Sequence, residues 1–248
     1  TSTLTFTNAN WNTPQTVTVT GVDDNLIDGT ISSTITIAVI DAISDNNFDP
    51  VANQTVTATT TDNDVAGFTV AETGGSTSVA ESGTTDTFTI VLNAQPDSNV
   101  VFAISSSDTG EATVTSALTF TNANWNTPQT VTVTGVDDNL VDGGRAPNIT
   151  ITVDDANSDN DFDAVANQTI SATVSDDDVA GFTIVESAGS TSVAETGTTD
   201  TFTVVLNAQP ASDVVLTVTS SDTGEATVNT PLTFTNANWN TAQTVTVT

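Results

Sequence analysis

Apolar and polar residues alternate along almost the whole chain. Gln129-Thr-Val-Thr-Val-Thr134 alternates strictly, and Thr87–Leu92, Val100–Ile104, Asn148–Val153 and Gln168–Val174 follow the same period. A period of two puts every second side chain on one face, which predicts half-buried strands. Turn-forming clusters separate these runs: Thr73-Gly-Gly-Ser76, Asn93-Ala-Gln-Pro96, Ser106–Gly110, Asp137-Asp-Asn139 and Asp142-Gly-Gly144. No segment carries a helical period. Roughly seven short strands in about 110 residues predict an all-β fold of tandem immunoglobulin-like β-sandwiches.

The pattern also recurs as a block. Trp11–Asn25 returns unchanged as Trp125–Asn139, and its opening returns again at Trp239, with Ala242 in place of the proline. The three tryptophans lie 114 residues apart, so residues 1–20 match 115–134 and 229–248. Repeats of such long period build length or valency rather than a single reactive site. Acidic stretches ahead of Val-Ala-Gly-Phe, Thr61–Phe68 and Ser175–Phe182, suit short joints. They divide the chain into 1–64, the C-terminal part of a sandwich repeat, 65–178, a complete repeat, and 179–248, the N-terminal part of the next. The chain starts in mid-repeat without a methionine, so the ends of the whole array are expected elsewhere. Each partial repeat is expected to expose a sheet edge and half a core, and to be completed by a neighbouring copy. Residues 1–20 and 229–248 are expected in equivalent strands, with Phe6 and Trp11 buried by that neighbour.

Charge narrows the function. There are 31 acidic residues, one basic residue (Arg145) and no His, for a net charge of −30. A hydrophobic content of 36% still supplies a core, so acidity does not mean disorder here. The charge repels nucleic acid and anionic lipid. No cysteine is present, so no disulfide framework forms. No segment resembles a membrane span or a signal peptide. The absence of His, Cys and Lys removes the usual nucleophile–base pairs, and no carboxylate pair is placed for glycoside hydrolysis; a non-enzymatic protein is expected.

Carboxylates recur at predicted strand ends, where loops converge: Glu72, Glu81, Asp108, Glu111, Asp137, Asp138, Asp142, Asp176, Asp177 and Asp178. Calcium takes six to eight oxygen ligands, and without His or Cys the common zinc and copper sites are excluded. Solvated turn aspartates are the alternative for any single residue, but crowding the set at one sandwich end favours a Ca2+ site. Asp159-Asn-Asp-Phe-Asp163, matched by Asp45, Asn47 and Asp49, is a second candidate. It lacks the glycine and closing glutamate of an EF-hand and reads first as an Asx-rich turn.

Phe68–Glu72, Val79-Ala-Glu81-Ser-Gly83, Leu118–Phe120 and Val131–Asp138 together resemble the Calx-beta domain, chiefly its versions in bacterial surface adhesins, over almost the whole repeat. The resemblance implies calcium ligation by Glu81, Asp137, Asp138 and Asp176–Asp178 at a sandwich tip beside the next domain. The matching positions in the other copies are Asp23, Asp24, Asp62, Asp64 and Glu195. Two glutamates usually follow the paired aspartates in that family. Here the first is Asp28 or Asp142 and the second is replaced by Thr30 or Gly144, which implies fewer or weaker ions and copies of unequal affinity.

Trp11, Trp125 and Trp239 read as packing residues rather than a sugar platform. Asn53, Asn148 and Asn167 lie in Asn-x-Thr sequons. Arg145 reads as half of a surface ion pair, worth about 0–1 kcal/mol. The function expected is a structural repeat of an extracellular calcium-stiffened stalk, adhesin or filament. The alternative is a binding module that grips glycan, ice or mineral through calcium-dependent repeats.

Overall fold

The computed structural model describes residues 3–248; the first two positions of the 1–64 segment lie outside it. The described residues form sixteen strands and five short 3-10 turns. No helix among them is long and apolar enough to cross a membrane.

In the first copy, β1 (Ile31–Ile37) and β2 (Gln54–Thr60) form an antiparallel hairpin. The middle copy holds β3 (Phe68–Glu72), β4 (Thr77–Ala80), β5 (Thr85–Leu92), β6 (Val100–Ser106), β7 (Ala112–Val114), β8 (Ala117–Phe120), β9 (Gln129–Gly135), β10 (Asn148–Val153) and β11 (Gln168–Ser175). They make two sheets, β3-β5-β9-β7 and β4-β11-β10-β6-β8. All pairs are antiparallel except β4 with β11. The chain enters the first sheet as β3, then crosses to the second through Thr73–Gly75, where Gly74 and Gly75 take φ of 73° and 86° that other residues resist. This is the immunoglobulin-like β-sandwich that the alternating pattern predicts.

The alternation decides which side chains go inside. Phe88 and Ile90 from β5 and Val131 and Val133 from β9 face Phe102, Ile149, Ile151 and Val174 from the other sheet, all fully buried. Phe102 sits at the centre, edge-on to Phe68 at 4.8 Å and to Phe120 at 5.8 Å. Trp125 is half-buried against this core, and its carbonyl accepts a hydrogen bond from the Leu92 amide (3.1 Å).

The third copy holds β12 (Phe182–Glu186), β13 (Asp200–Leu206), β14 (Val214–Leu216), β15 (Leu232–Phe234) and β16 (Gln243–Val247), in sheets β12-β13-β16 and β14-β15. Thr191–Ala194, the counterpart of β4, is not a strand. Its parallel partner would be the counterpart of β11, which residues 179–248 do not contain. For the same reason Phe182 is 51% exposed where Phe68 is 4% exposed.

Residues 3–20 show the complementary effect. Residues 11–20 have the sequence of 125–134, which include most of β9, yet none of residues 3–20 is in a strand. The partners of β9 are β5 and β7, which precede it in the repeat and have no counterpart ahead of residue 20. Phe6 and Trp11, expected to be buried by a neighbouring copy, are 53% and 70% exposed in the single chain.

Consecutive copies meet end to end in the same way twice. The Gln95 amide donates to the Asn25 carbonyl (2.8 Å) beside a parallel bridge between Leu26 and Gln95, and Ile27 packs on the middle core. At the next joint the Gln209 amide donates to the Asn139 carbonyl (2.7 Å) beside a bridge between Leu140 and Gln209. Val141 there lines a shallow apolar cavity with Phe182, Leu206 and Pro210.

Two substitutions at matched positions separate sequence from context. Phe120→Ala should cost about 3–5 kcal/mol in chemical denaturation, as loss of a buried aromatic does, whereas Phe6→Ala should stay within about 0.5 kcal/mol. Amide exchange should follow the same division, with Val131 and Val133 protected and Val17 and Val19 fast.

Candidate metal centre

The sandwich tip that faces the third copy gathers the acidic residues. Glu81 follows β4, Glu111 precedes β7, Asp137, Asp138 and Asp142 follow β9, and Asp176–Asp178 follow β11. The local folding is specific. The Glu81 amide donates to the Ser175 carbonyl (3.1 Å), the Val136 amide to the Glu111 carbonyl (2.9 Å) and the Gly135 amide to the Thr84 carbonyl (3.0 Å), so all four segments are tied to one another. Gly135 makes the approach feasible: a Cβ there would lie 2.0 Å from the Ala80 carbonyl oxygen.

Two groups of carboxylates converge. Glu81, Asp176 and Asp178 offer oxygens all within 4.8 Å of one another, and so do Glu81, Glu111 and Asp142. Glu81 is 1% exposed and Glu111 8% exposed, and Oε2 of each is buried without a hydrogen-bond partner. An unpaired buried carboxylate oxygen is strongly unfavourable unless a cation meets it or the group takes up a proton. Burial first, then the charges of Asp176, Asp138, Glu111 and Asp142, pushes the Glu81 carboxyl up to about 7. Glu111 and Asp178 are also raised, first by burial and then by neighbouring acids. Asp176 is lowered, because its carboxylate accepts the amides of Gly143 (2.8 Å), Asp178 (2.7 Å) and Asp142 (3.1 Å).

The remaining candidates have distinct places. Asp138 Oδ1 accepts the Leu140 amide (2.6 Å), which links the tip directly to the segment that reaches Gln209. Asp137 and Asp177 are exposed at the rim. Asp108 caps its own turn through the Gly110 amide (3.1 Å) and adds its charge near Glu111. Glu72 lies apart on β3, with Oε2 accepting from the Thr77 hydroxyl (2.8 Å). In the first copy, Asp62 repeats the Asp176 arrangement by accepting the amides of Gly29 (2.9 Å) and Asp64 (2.8 Å), and Asp24 repeats Asp138 by accepting Leu26 (2.9 Å). Asp23 and Asp28 stay exposed there, and their charges help raise Asp64 after burial and Asp62. Glu195, the counterpart of Glu81, is exposed because the aspartate half is not present around it.

Glu111 matters more than the pattern of the resemblance implies. Its signal is the shared Ser-Ser-Asp-Thr-Gly-Glu, with Glu225 as its counterpart. Arg145 forms the surface ion pair that the sequence suggests, with its side chain half-exposed. It donates through Nε (3.0 Å) and Nη2 to Asp142 Oδ2 and lies 3.8 Å from Glu111 Oε1. The Asp159 loop is a clamp. Asp159 is 6% exposed, its Oδ2 accepts the Ser98 amide (2.8 Å), and its Oδ1 accepts Asp161 N (3.1 Å) to cap a turn that buries Phe162.

No protein-family model and no curated protein matches the chain. Among solved structures it is similar to domains 4 and 5 of the S-layer protein SbsC, with 23% identity, TM-score 0.32, and 51% of this chain and 54% of that one covered. A longer SbsC structure, domains 4–9, matches at 19% identity and TM-score 0.31, covering 79% of this chain and 28% of that one. The calcium binding domain CBD12 of CALX1.1 matches at 13% identity and TM-score 0.33, covering 72% and 74%. The chain thus spans about half of the first SbsC structure.

The raised carboxyls set a pH dependence. Between about 4.5 and about 7 the folded protein still holds the Glu81 proton that the unfolded chain has released. Metal-free stability should therefore fall as pH rises through that window. Thermal melts in chelator at pH 5 and pH 7.5 should give the higher Tm at pH 5, and Glu81→Gln should flatten the difference.

Proposed function

We propose that this chain is a stretch of an extracellular calcium-stiffened stalk, adhesin or filament, made of sandwich repeats stacked end to end. The observation that carries the proposal is the tip itself. Buried, unpartnered Glu81 and Glu111 oxygens stand among Asp142, Asp176 and Asp178, a few residues from the Leu140–Gln209 junction with the next copy. An all-oxygen donor set without His or Cys fits a hard cation, and calcium tolerates the irregular loop geometry that magnesium does not. Glu81, Asp137, Asp138, Asp176 and Asp178 would hold the ion, and Glu111 and Asp142 form the second carboxylate group, against which Arg145 lies.

Calcium would act on the joint through Asp138. Its carboxylate already fixes the Leu140 amide, so ligation there orders the segment that bridges to Gln209. Without the ion, repulsion among the carboxylates loosens the same segment. The resemblance to the Calx-beta domain supports this assignment, with residues 65–178 as the complete repeat. The exposed apolar faces of β1–β2 and of the β12-β13-β16 sheet are complementary halves of that repeat, to be completed by neighbouring copies in the same chain or in another. A module gripping glycan, ice or mineral would draw on exposed aromatics. Trp125 and Trp239 instead pack against their cores, and Trp11 and Phe6 are exposed in the copy that lacks the partners of those strands.

Melting of the full chain with calcium and with chelator tests the proposal. A calcium level about a hundred times the dissociation constant should add about 2.7 kcal/mol per site, and small-angle scattering should show a stiffer, longer particle. Superimposed melts would overturn it. Asp137→Asn with Asp138→Asn should abolish most calorimetric calcium binding in the middle copy, whereas Asp159→Asn with Asp161→Asn should leave it and lower stability instead. A larger binding loss from the second pair would move the site to the 159–163 loop.

A further inference from the structure

Arg145 is the single basic residue of the chain, and it lies half-exposed against the acidic tip. Its backbone is fixed there: the Arg145 amide donates to the Val174 carbonyl (3.0 Å) and the Arg145 carbonyl accepts the Val174 amide in return (2.8 Å), two residues before Asp176. From that anchor the guanidinium reaches Asp142 and Glu111, which are two of the three members of one carboxylate group. The other group, Glu81, Asp176 and Asp178, has no basic side chain against it. The first copy supplies a natural contrast. Ile31 occupies the matching position, 114 residues earlier, and pairs with Thr60 as Arg145 pairs with Val174.

We propose that Arg145 is an internal cation that takes the place of one divalent ion, leaving the middle repeat to bind calcium at Glu81, Asp176 and Asp178 while the guanidinium holds Glu111 and Asp142. The inference rests on the calcium assignment above and adds a count to it. An arginine stays charged at every accessible pH and presents a planar fork suited to a carboxylate. It therefore neutralises part of the tip whether or not calcium is present. A repeat with Ile at this position depends on calcium for both groups; a repeat with Arg depends on it for one. An array mixing the two would loosen in stages as calcium falls. An ordinary exposed ion pair would leave the ion count unchanged, which separates the two explanations.

Calcium alone is the probe, titrated into the full 248-residue chain by calorimetry and equilibrium dialysis for wild type, R145I and R145K. R145I should bind one more calcium per chain than wild type and should melt lower than wild type in chelator. R145K should keep the wild-type count. The partial copies contribute equally to all three proteins and cancel in the difference. An unchanged count in R145I overturns the inference while leaving the calcium site standing, and so does an R145K count equal to that of R145I. No calcium bound by any of the three proteins overturns both.

Discussion

A β-strand exists only where another strand satisfies its backbone, and the whole molecule follows from that constraint. Each sheet of the middle copy joins segments far apart in sequence. β4 needs β11, nearly a hundred residues later, and β9 needs β5. The copies on either side contain only part of the set. The first therefore keeps its late hairpin and loses its early strands, and the third keeps its early strands and loses the counterpart of β4. Burial obeys the same rule, since a side chain is covered only when both sheets are there to close over it.

The acidic tip is a second consequence of this closure. Its two most buried carboxylates, Glu81 and Glu111, come from the early part of the repeat, and Asp142, Asp176 and Asp178 come from the late part. Completing the sandwich forces the two sets together. The aspartates are already arranged by backbone amides, as the matching bonds from Gly29 to Asp62 and from Gly143 to Asp176 show. The glutamates have no such partners for their buried oxygens. Folding thus creates a local excess of negative charge in a poorly hydrated place, which backbone amides offset at Asp176 and Asp138 and Arg145 offsets at Asp142 and Glu111.

The tip also lies at the joint between copies. Asp137 and Asp138 are followed at once by Asn139 and Leu140, which touch Gln209 of the next copy, and Asn25 and Leu26 touch Gln95 in the same way. Two joints in one chain with the same contacts indicate a junction written into each repeat. Charge neutralisation at the tip and the geometry of the joint therefore share residues.

The strand pattern, the 114-residue period and the all-β class were legible in the residues because alternation and turn chemistry are local properties. The Thr-Asn-Ala-Asn turn illustrates the point. Asn10, Asn124 and Asn238 each donate an amide to the threonine three residues earlier at 3.2 Å, and Gln15, Gln129 and Gln243 each donate a side-chain amide to Thr5, Thr119 and Thr233 at 2.7–2.8 Å. That turn forms in all three copies, including the first, where the flanking strands are missing. The acidic candidates were also visible, as carboxylates at predicted strand ends. Their ranking was not. Which oxygens are buried, that Glu111 joins Glu81, that Glu72 stands apart and that Arg145 enters the cluster all depend on distances between loops brought together by both sheets. Identical residues at 11–20 and 125–134 take different structures in one chain, because a turn is closed by its own few residues and a strand is closed only by a partner from elsewhere.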